Sequence, residues 1–160
     1  CANPVPEIYP HEAKAAGATI VATGRGDFPN QVNNSLGFPG ILKGALMVRA
    51  RGISDEMAIT AARSLAAYAE ARGIGPDNIM PRMDERSVFP QEAADVAMAA
   101  VAEGLARTPL SRDEAFAKAD ADITAAREMT ELLIREGHIA RPPQAMLDAA
   151  LAWAIGQVHT

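Results

Sequence analysis

The sequence predicts an α/β fold in which helices dominate and a few parallel strands form the sheet. Residues 18–23 are apolar on both faces and rich in β-branched side chains, which is typical of a central parallel strand. The loop 24–40 that follows is rich in glycine and asparagine, so its backbone can approach a ligand closely. The remaining segments show helical spacing of apolar residues between recognisable caps.

Composition limits the classes of function. The chain has 160 residues, which is the length of one domain, and its net charge of −5 argues against a nucleic-acid surface. It lacks an apolar run of about 18 residues, so we expect no membrane span. The single cysteine, Cys1, excludes an internal disulfide and fits a reducing compartment such as the cytoplasm. Because Cys1 is preceded by no Met, we expect a fragment of a longer polypeptide.

The first half of the chain contains three predicted helices. A short helix over 11–16 is closed by Gly17. A longer helix over 35–50 is delayed or kinked by the Phe-Pro-Gly run at 38–40. Ser54 caps the third helix, and Gly73 ends it. The expected apolar stripe of this third helix consists of Ala58, Ala62, Leu65 and Ala69.

The second half begins with an irregular stretch over 73–88, in which 78–80 is a candidate short strand. Pro90 can occupy the first position of the next helix. Ser111 and Glu114 form a capping box at the head of a long helix that ends at Gly137. After a stop at 141–143, a last segment is expected to be amphipathic, with its apolar face formed by Met146, Leu147, Ala150, Leu151 and Ala154.

Candidate ligand contacts follow the predicted strand. Asn33 and Asn34 come shortly after its carboxyl end, where open α/β sheets bind ligands. The alternative is that both residues simply cap the helix that follows. Asn3 follows an apparent strand end and would lie on the same sheet edge, although a turn asparagine is the simpler interpretation.

Other polar clusters carry weaker signals. Residues 25–27 spell the adhesion tripeptide Arg-Gly-Asp, but an ion pair that shapes the loop is the favoured interpretation. Asp84 and Glu85 could form an acidic site or a solvated loop. The three histidines lack metal-ligand spacing, and neither a serine triad nor a Gly-rich phosphate motif is visible.

Several long motifs resemble the cofactor-binding domain of bacterial malic enzymes. The resemblance covers roughly residues 2–143 and leaves 144–160 unmatched. One departure is Gly26, which stands where the family commonly has a serine. The matching segments, which include Ala-Asn-Pro, Gly-Arg-x-Asp-Phe-Pro-Asn-Gln-Val-Asn-Asn and Phe-Pro-Gly-Ile, lie at 2–8, 20–41, 44–50, 79–90, 110–114 and 127–131.

This resemblance implies oxidative decarboxylation of malate to pyruvate and carbon dioxide, with NAD or NADP and a divalent metal, Mg or Mn. It implies substrate contacts from Asn3 and Asn34, and cofactor contacts from Asn3, Asn33 and Gly24. The family's catalytic Tyr and Lys, its acidic metal ligands and its Gly-rich fingerprint would lie before residue 1. We therefore expect no catalytic residue and no metal ligand within this chain.

The resemblance also implies an organisation and partners. Residues 1–107 would be the C-terminal part of a Rossmann-like NAD(P)-binding domain, mostly helical with few parallel strands. Residues 108–160 would be a helical extension that packs on this domain or on a partner subunit. The expected partners are the rest of the polypeptide and further copies in a homo-oligomer. Two alternatives remain: a non-catalytic helical interaction module, and another dehydrogenase with an asparagine-lined nicotinamide site.

Overall fold

The computed structural model of the chain describes residues 5–158. Helices dominate this part of the chain, as predicted, and a short 3₁₀ helix over Asn34–Leu36 precedes the second of them. The α-helices are α1 (Pro10–Ala15), α2 (Phe38–Met47), α3 (Asp55–Arg72), α4 (Val88–Ala102), α5 (Arg112–Arg135) and α6 (Gln144–Val158). No helix in the described range is long and apolar enough to cross a membrane.

The strands expected at 18–23 and 78–80 are not formed within residues 5–158. Only two isolated bridges occur there, a parallel one between Thr23 and Gln31 and an antiparallel one between Gly75 and Asn78. A strand is stabilised by a ladder with a neighbouring strand, and the described residues supply none beside 18–23. Ile20 is accordingly 50% exposed. The strand prediction is therefore wrong for this part of the chain.

Local signals placed most helix ends correctly. Ser54 accepts a hydrogen bond from the Met57 N–H at 3.1 Å and begins α3. Ser111 and Glu114 form the predicted reciprocal box at the head of α5, with the Ser111 N–H 2.8 Å from the Glu114 carboxylate. Gly73 and Gly137 follow α3 and α5 with φ of 95° and 78°, a backbone region that favours glycine.

Two helix predictions need correction. Helix α4 begins at Val88, two residues before the proposed start at Pro90. A proline in the first turn is tolerated because the first four N–H groups have no partner within the helix. The stripe of α3 is also displaced: Ala58 and Ala62 are exposed, and the buried positions are Met57, Ala61, Ser64, Leu65 and Ala69.

The chain divides into two compact units, Cys1–Ile123 and Thr124–Thr160. The core of the first unit lies where α4 packs on α2 and α3. Its members are mostly small, including Ala45, Ala61, Ala93, Ala97 and Ala100, which allows the helix axes to approach closely. This packing fixes the start of α2 and the loop before it.

The second unit contains the end of α5, a turn at Gly137 and helix α6. Arg141 pairs with Glu131 across this turn at 3.2 Å. Helix α6 does not show the expected single apolar face. Apolar residues occur on all its sides, and Leu151 and Trp153 are 62% and 69% exposed.

Candidate functional site

A cleft of about 530 Å³ lies where the Gly/Asn loop meets the start of α2. The loop and the 3₁₀ helix form the first wall, and Met80 with Leu65 of α3 forms the second wall. The cleft brings together three of the predicted site residues, Gly24, Asn33 and Asn34. Its complete lining is Gly24, Val32, Asn33, Asn34, Leu36, Gly37, Leu65 and Met80. The fourth predicted residue, Asn3, lies outside the described residues.

The two adjacent asparagines differ in how they are used. The Asn33 Oδ1 accepts hydrogen bonds from the Ser35 N–H at 3.0 Å and from the Ser35 hydroxyl at 2.7 Å. Asn33 therefore caps the 3₁₀ helix. A capping role was the alternative interpretation for both asparagines, and it is confirmed for Asn33. The Asn34 side chain is exposed and has no hydrogen-bond partner within residues 5–158. Its carboxamide is free to donate to a ligand and to accept from one.

The Arg-Gly-Asp tripeptide shapes the loop, as predicted. The Arg25 guanidinium donates to both Asp27 oxygens, at 2.8 Å and 2.5 Å, and these hydrogen bonds hold the pKa of Asp27 below its usual value. The same guanidinium lies 5.1 Å from the centroid of the Phe28 ring. Both charges are thus engaged within the loop itself.

The acidic pair after the loop is also paired locally. Asp84 accepts from Arg82 at 3.0 Å, and Glu85 bonds the Arg82 N–H at 2.7 Å and pairs with Arg72. The hydrogen bonds from Arg82 lower the pKa of Asp84. Among residues 5–158, no group of three His, Cys, Asp or Glu side chains is placed to hold a metal ion.

A buried carboxyl group lies directly behind the cleft. Glu92 on α4 is fully buried, and neither of its carboxyl oxygens has a hydrogen-bond partner among the described residues. A Cβ placed on Gly37 would lie 3.8 Å from the Glu92 Oε1, and one placed on Gly40 would overlap the carboxyl group. Burial raises the pKa of Glu92 to about 8, so the group is mostly un-ionised at neutral pH.

Sequence reasoning assigned no role to Glu92 or to Asn30, although both lie beside the cleft. Asn30 is 6% exposed and makes three side-chain hydrogen bonds. A glutamate inside the apolar run of α4 was the available signal for a buried acid. For Asn30 the signal was weaker, since an asparagine after a proline usually indicates only a turn.

Comparisons with known proteins show the family to which the chain belongs. A family profile described as "Malic enzyme, NAD binding domain" matches residues 16–103, more than half of the chain. Residues 16–103 thus belong to an NAD-binding domain of this type. The chain belongs to the malic enzyme family.

Curated relatives agree with this assignment. A bifunctional malic/malolactic enzyme of Bacillus subtilis is 46% identical over 117 residues, which are 73% of this chain and 28% of that protein. An NAD-dependent malic enzyme of Rhizobium meliloti is 35% identical over 156 residues, 88% of this chain and 19% of that protein. The chain therefore spans less than a third of the length of these two relatives.

Solved structures extend the similarity along the whole chain. The malic enzyme of Entamoeba histolytica matches with a TM-score of 0.91 and 61% identity, covering 100% of this chain and 33% of that one. The malic enzyme of Pyrococcus horikoshii matches with a TM-score of 0.73 and 47% identity, covering 84% of this chain and 30% of that one. The likeness thus includes residues 144–160, which the motifs alone left unmatched.

Proposed function

We propose that this chain forms part of a malic enzyme that oxidises malate to pyruvate and carbon dioxide and reduces NAD or NADP. Family membership supports the reaction class. The observation that supports this role for the cleft is the carboxamide of Asn34, which is exposed and has no hydrogen-bond partner among residues 5–158. Its neighbour Asn33 is occupied as a cap, so the two residues have separate tasks in one motif.

The proposed roles follow from these contacts. Asn34 orients malate, because its Nδ2 can donate to a carboxylate while its Oδ1 accepts from a hydroxyl or an amide. Asn33 fixes the backbone through Ser35 and retains its Nδ2–H groups for the nicotinamide end of the cofactor. Gly24 is buried, and its backbone lines the same cleft. Asn3 is proposed to contact both ligands.

The dinucleotide would supply the hydride acceptor, and a divalent metal, Mg or Mn, would polarise the substrate oxygen atoms. The carboxamides of the cleft fit the dinucleotide, since they offer neutral donors and acceptors beside backbone groups. The described residues present no three-ligand cluster for the metal, so they would not hold it by themselves. We further propose that other segments of a longer polypeptide supply the metal ligands and complete a Rossmann-like sheet.

The partners belong to the same proposal. The matched segments make up only 28% and 19% of these two curated relatives, which supports a larger polypeptide around this chain. The exposed Leu151 and Trp153 on α6 support an association with further protein, which we propose to be a homo-oligomer. They also favour the alternative function of a helical interaction module. A cytoplasmic location is proposed from the single cysteine.

The test compares two neighbouring variants of the full-length protein. For Asn34→Ala we expect kcat/KM for malate to fall about 10- to 100-fold at nearly unchanged melting temperature, since one hydrogen bond to a charged group is worth about 1.5–3 kcal/mol. For Asn33→Ala we expect a lower melting temperature, because losing a cap costs about 0.5–2 kcal/mol. Steady-state kinetics and thermal melting measure both.

Normal malate kinetics in Asn34→Ala would return this residue to a structural role. A full-length protein that reduces neither NAD nor NADP with malate would favour the interaction module. In that case we expect the removal of apolar side chains from α6 to change its oligomeric state, as measured by analytical ultracentrifugation.

A further inference from the structure

Asn30 joins three separate segments of the first unit. Its Nδ2 donates to the Val21 carbonyl at 3.0 Å and to the Pro76 carbonyl at 2.7 Å, and its Oδ1 accepts from the Ile79 N–H at 2.9 Å. Both hydrogens of the amide and its oxygen are therefore used. The residue is 6% exposed, so these groups have little water to replace lost partners, which makes each bond costly to remove.

One of the joined segments leads directly into the first wall of the cleft. After Asn30, the Gln31 side chain donates to the Gly24 carbonyl at 3.4 Å, and the Val32 N–H donates to the Thr23 carbonyl at 2.7 Å. Asn33 and Asn34 come next in the chain. The backbone of Asn33 and Asn34 therefore follows directly from a short segment that begins at Asn30, and the hydrogen bonds of Asn30 hold the start of that segment in place.

A second segment that Asn30 contacts, at Ile79, leads into the second wall of the cleft. The Ile79 N–H is held by Asn30, and Met80 is the next residue and lines the cleft. Further along, the Met83 sulfur lies 2.9 Å from the Ser35 hydroxyl oxygen. Asn30 and the contact between Ser35 and Met83 therefore both tie the loop that carries Asn33 and Asn34 to the segment that carries Met80.

Backbone conformation alone does not account for this arrangement. Asn30 and Arg49 are the non-glycine residues of the described range with positive φ, at 57° and 51°. Arg49 is exposed at the end of α2. The left-handed conformation is therefore compatible with an ordinary surface turn, whereas the three buried hydrogen bonds are particular to Asn30.

We propose that Asn30 is a positioning residue for malate, which holds the two walls of the cleft at the spacing that Asn34 requires. This inference rests on the proposed function of the cleft. Asn30 touches no ligand in this scheme and acts through the placement of Asn34. A displacement of about 1 Å in a substrate-orienting group can lower a rate about 100-fold.

The experiment uses the full-length protein with Asn30→Gly, which permits the same left-handed backbone and removes the three hydrogen bonds. The matched control is Ser54→Ala, which removes the cap of α3 at a site outside the lining of the cleft. Both variants are assayed at a temperature where both remain folded. We expect kcat/KM for malate to fall about 10- to 100-fold in Asn30→Gly and to stay at the wild-type level in Ser54→Ala.

A double-mutant cycle separates positioning from general destabilisation. If Asn30 acts through Asn34, then Asn30→Gly lowers kcat/KM by less than about threefold in an Asn34→Ala background, because the two residues are coupled. Hydrogen exchange gives a readout independent of activity: the Ile79 and Val32 amides exchange faster in Asn30→Gly. If that variant does not fold, Asn30→Asp takes its place, since it keeps the acceptor for Ile79 and loses the two donors.

Three results would overturn the proposal: equal losses in both backgrounds of the cycle, kinetics of Asn30→Gly that match Ser54→Ala, or unchanged amide exchange. A full-length protein without malate oxidation would overturn the proposed function and, with it, the role toward malate. The exchange measurement would then decide separately whether Asn30 holds the two walls together.

Discussion

At the scale of single residues, Glu92 is the side chain whose surroundings differ most from those of an ordinary member of its type. It is completely buried behind the head of α2, and both carboxyl oxygens lack hydrogen-bond partners in the part of the chain that the structure describes. A buried charge without a partner is costly, so the carboxyl group retains its proton instead. The protonation of Glu92 thus links the stability of the cleft wall to pH.

The direction of this linkage follows from the pKa, which burial raises from 4.5 to about 8. Between these values the folded protein holds a proton that the unfolded chain has lost, so rising pH favours unfolding. The contribution is fully present below the unfolded value and is lost as pH rises through about 8. We expect the free energy of unfolding to fall by about 3 kcal/mol between pH 5.5 and pH 8.5. Urea unfolding at both pH values measures it.

The Glu92→Gln variant should lose this pH dependence, because its amide does not ionise. Glu114→Gln is the matched control. Glutamine is suited to the position of Glu114 in the capping box of α5. The pKa of Glu114 is lowered by its hydrogen bonds with Ser111, so its titration affects stability only at acid pH. A Glu92→Gln protein that keeps the wild-type slope would show that another group is responsible.

At the scale of the elements, the contact between α2 and α4 depends on glycines. A Cβ on Gly44 would lie 2.5 Å from the Ala93 carbonyl oxygen and 2.9 Å from the Val96 Cβ. Neither a backbone atom nor a β-branched side chain can yield easily at such distances. The axes of the two helices are therefore held close by the absence of one side chain.

Substituting Gly44 with alanine sets two effects against each other. Alanine gains about 1 kcal/mol of helix propensity, whereas overpacking a helix contact costs about 1–3 kcal/mol or more. Because the clash includes backbone, we expect net destabilisation of about 1–2 kcal/mol and a lower melting temperature. Gly52→Ala is the control, since nothing lies within 4 Å of its would-be Cβ. Equal stability of both variants would contradict this close packing.

At the scale of the whole molecule, the described residues line a cleft that we propose to orient ligands, and they form no cluster of three side chains for a metal ion. The 160-residue chain spans less than a third of the two curated relatives compared above. General acid and base groups contribute about 10²–10⁴-fold each. An orienting cleft that lacked such groups would therefore be insufficient for turnover.

We accordingly expect the isolated 160-residue chain to show no malate-dependent reduction of NAD or NADP. The full-length protein should show it under the same conditions, as followed by absorbance of the reduced cofactor. Intact-mass spectrometry of the sample excludes a longer contaminant. Robust turnover by the isolated chain would mean that it contains the proton-transfer groups after all.

The sequence by itself determined most of the helices and several of their ends, because caps such as Ser54 and Ser111 act through bonds to residues three positions away. It also indicated Asn33 and Asn34, since they belong to a long motif. It could not show which of the two is a cap and which is free, and it predicted a strand over 18–23 for which the described residues provide no neighbour. Strand formation depends on partners that are distant in sequence.

Only the tertiary structure decided the roles of Asn30 and Glu92. The partners of Asn30 at Pro76 and Ile79 are 46 and 49 residues away, and no local pattern specifies them. The same holds for Glu92, because a glutamate in an apolar helix can point to solvent or into the core. Here the packing of α4 on the glycines of α2 closes over its carboxyl group, and that packing exists only once the helices have assembled.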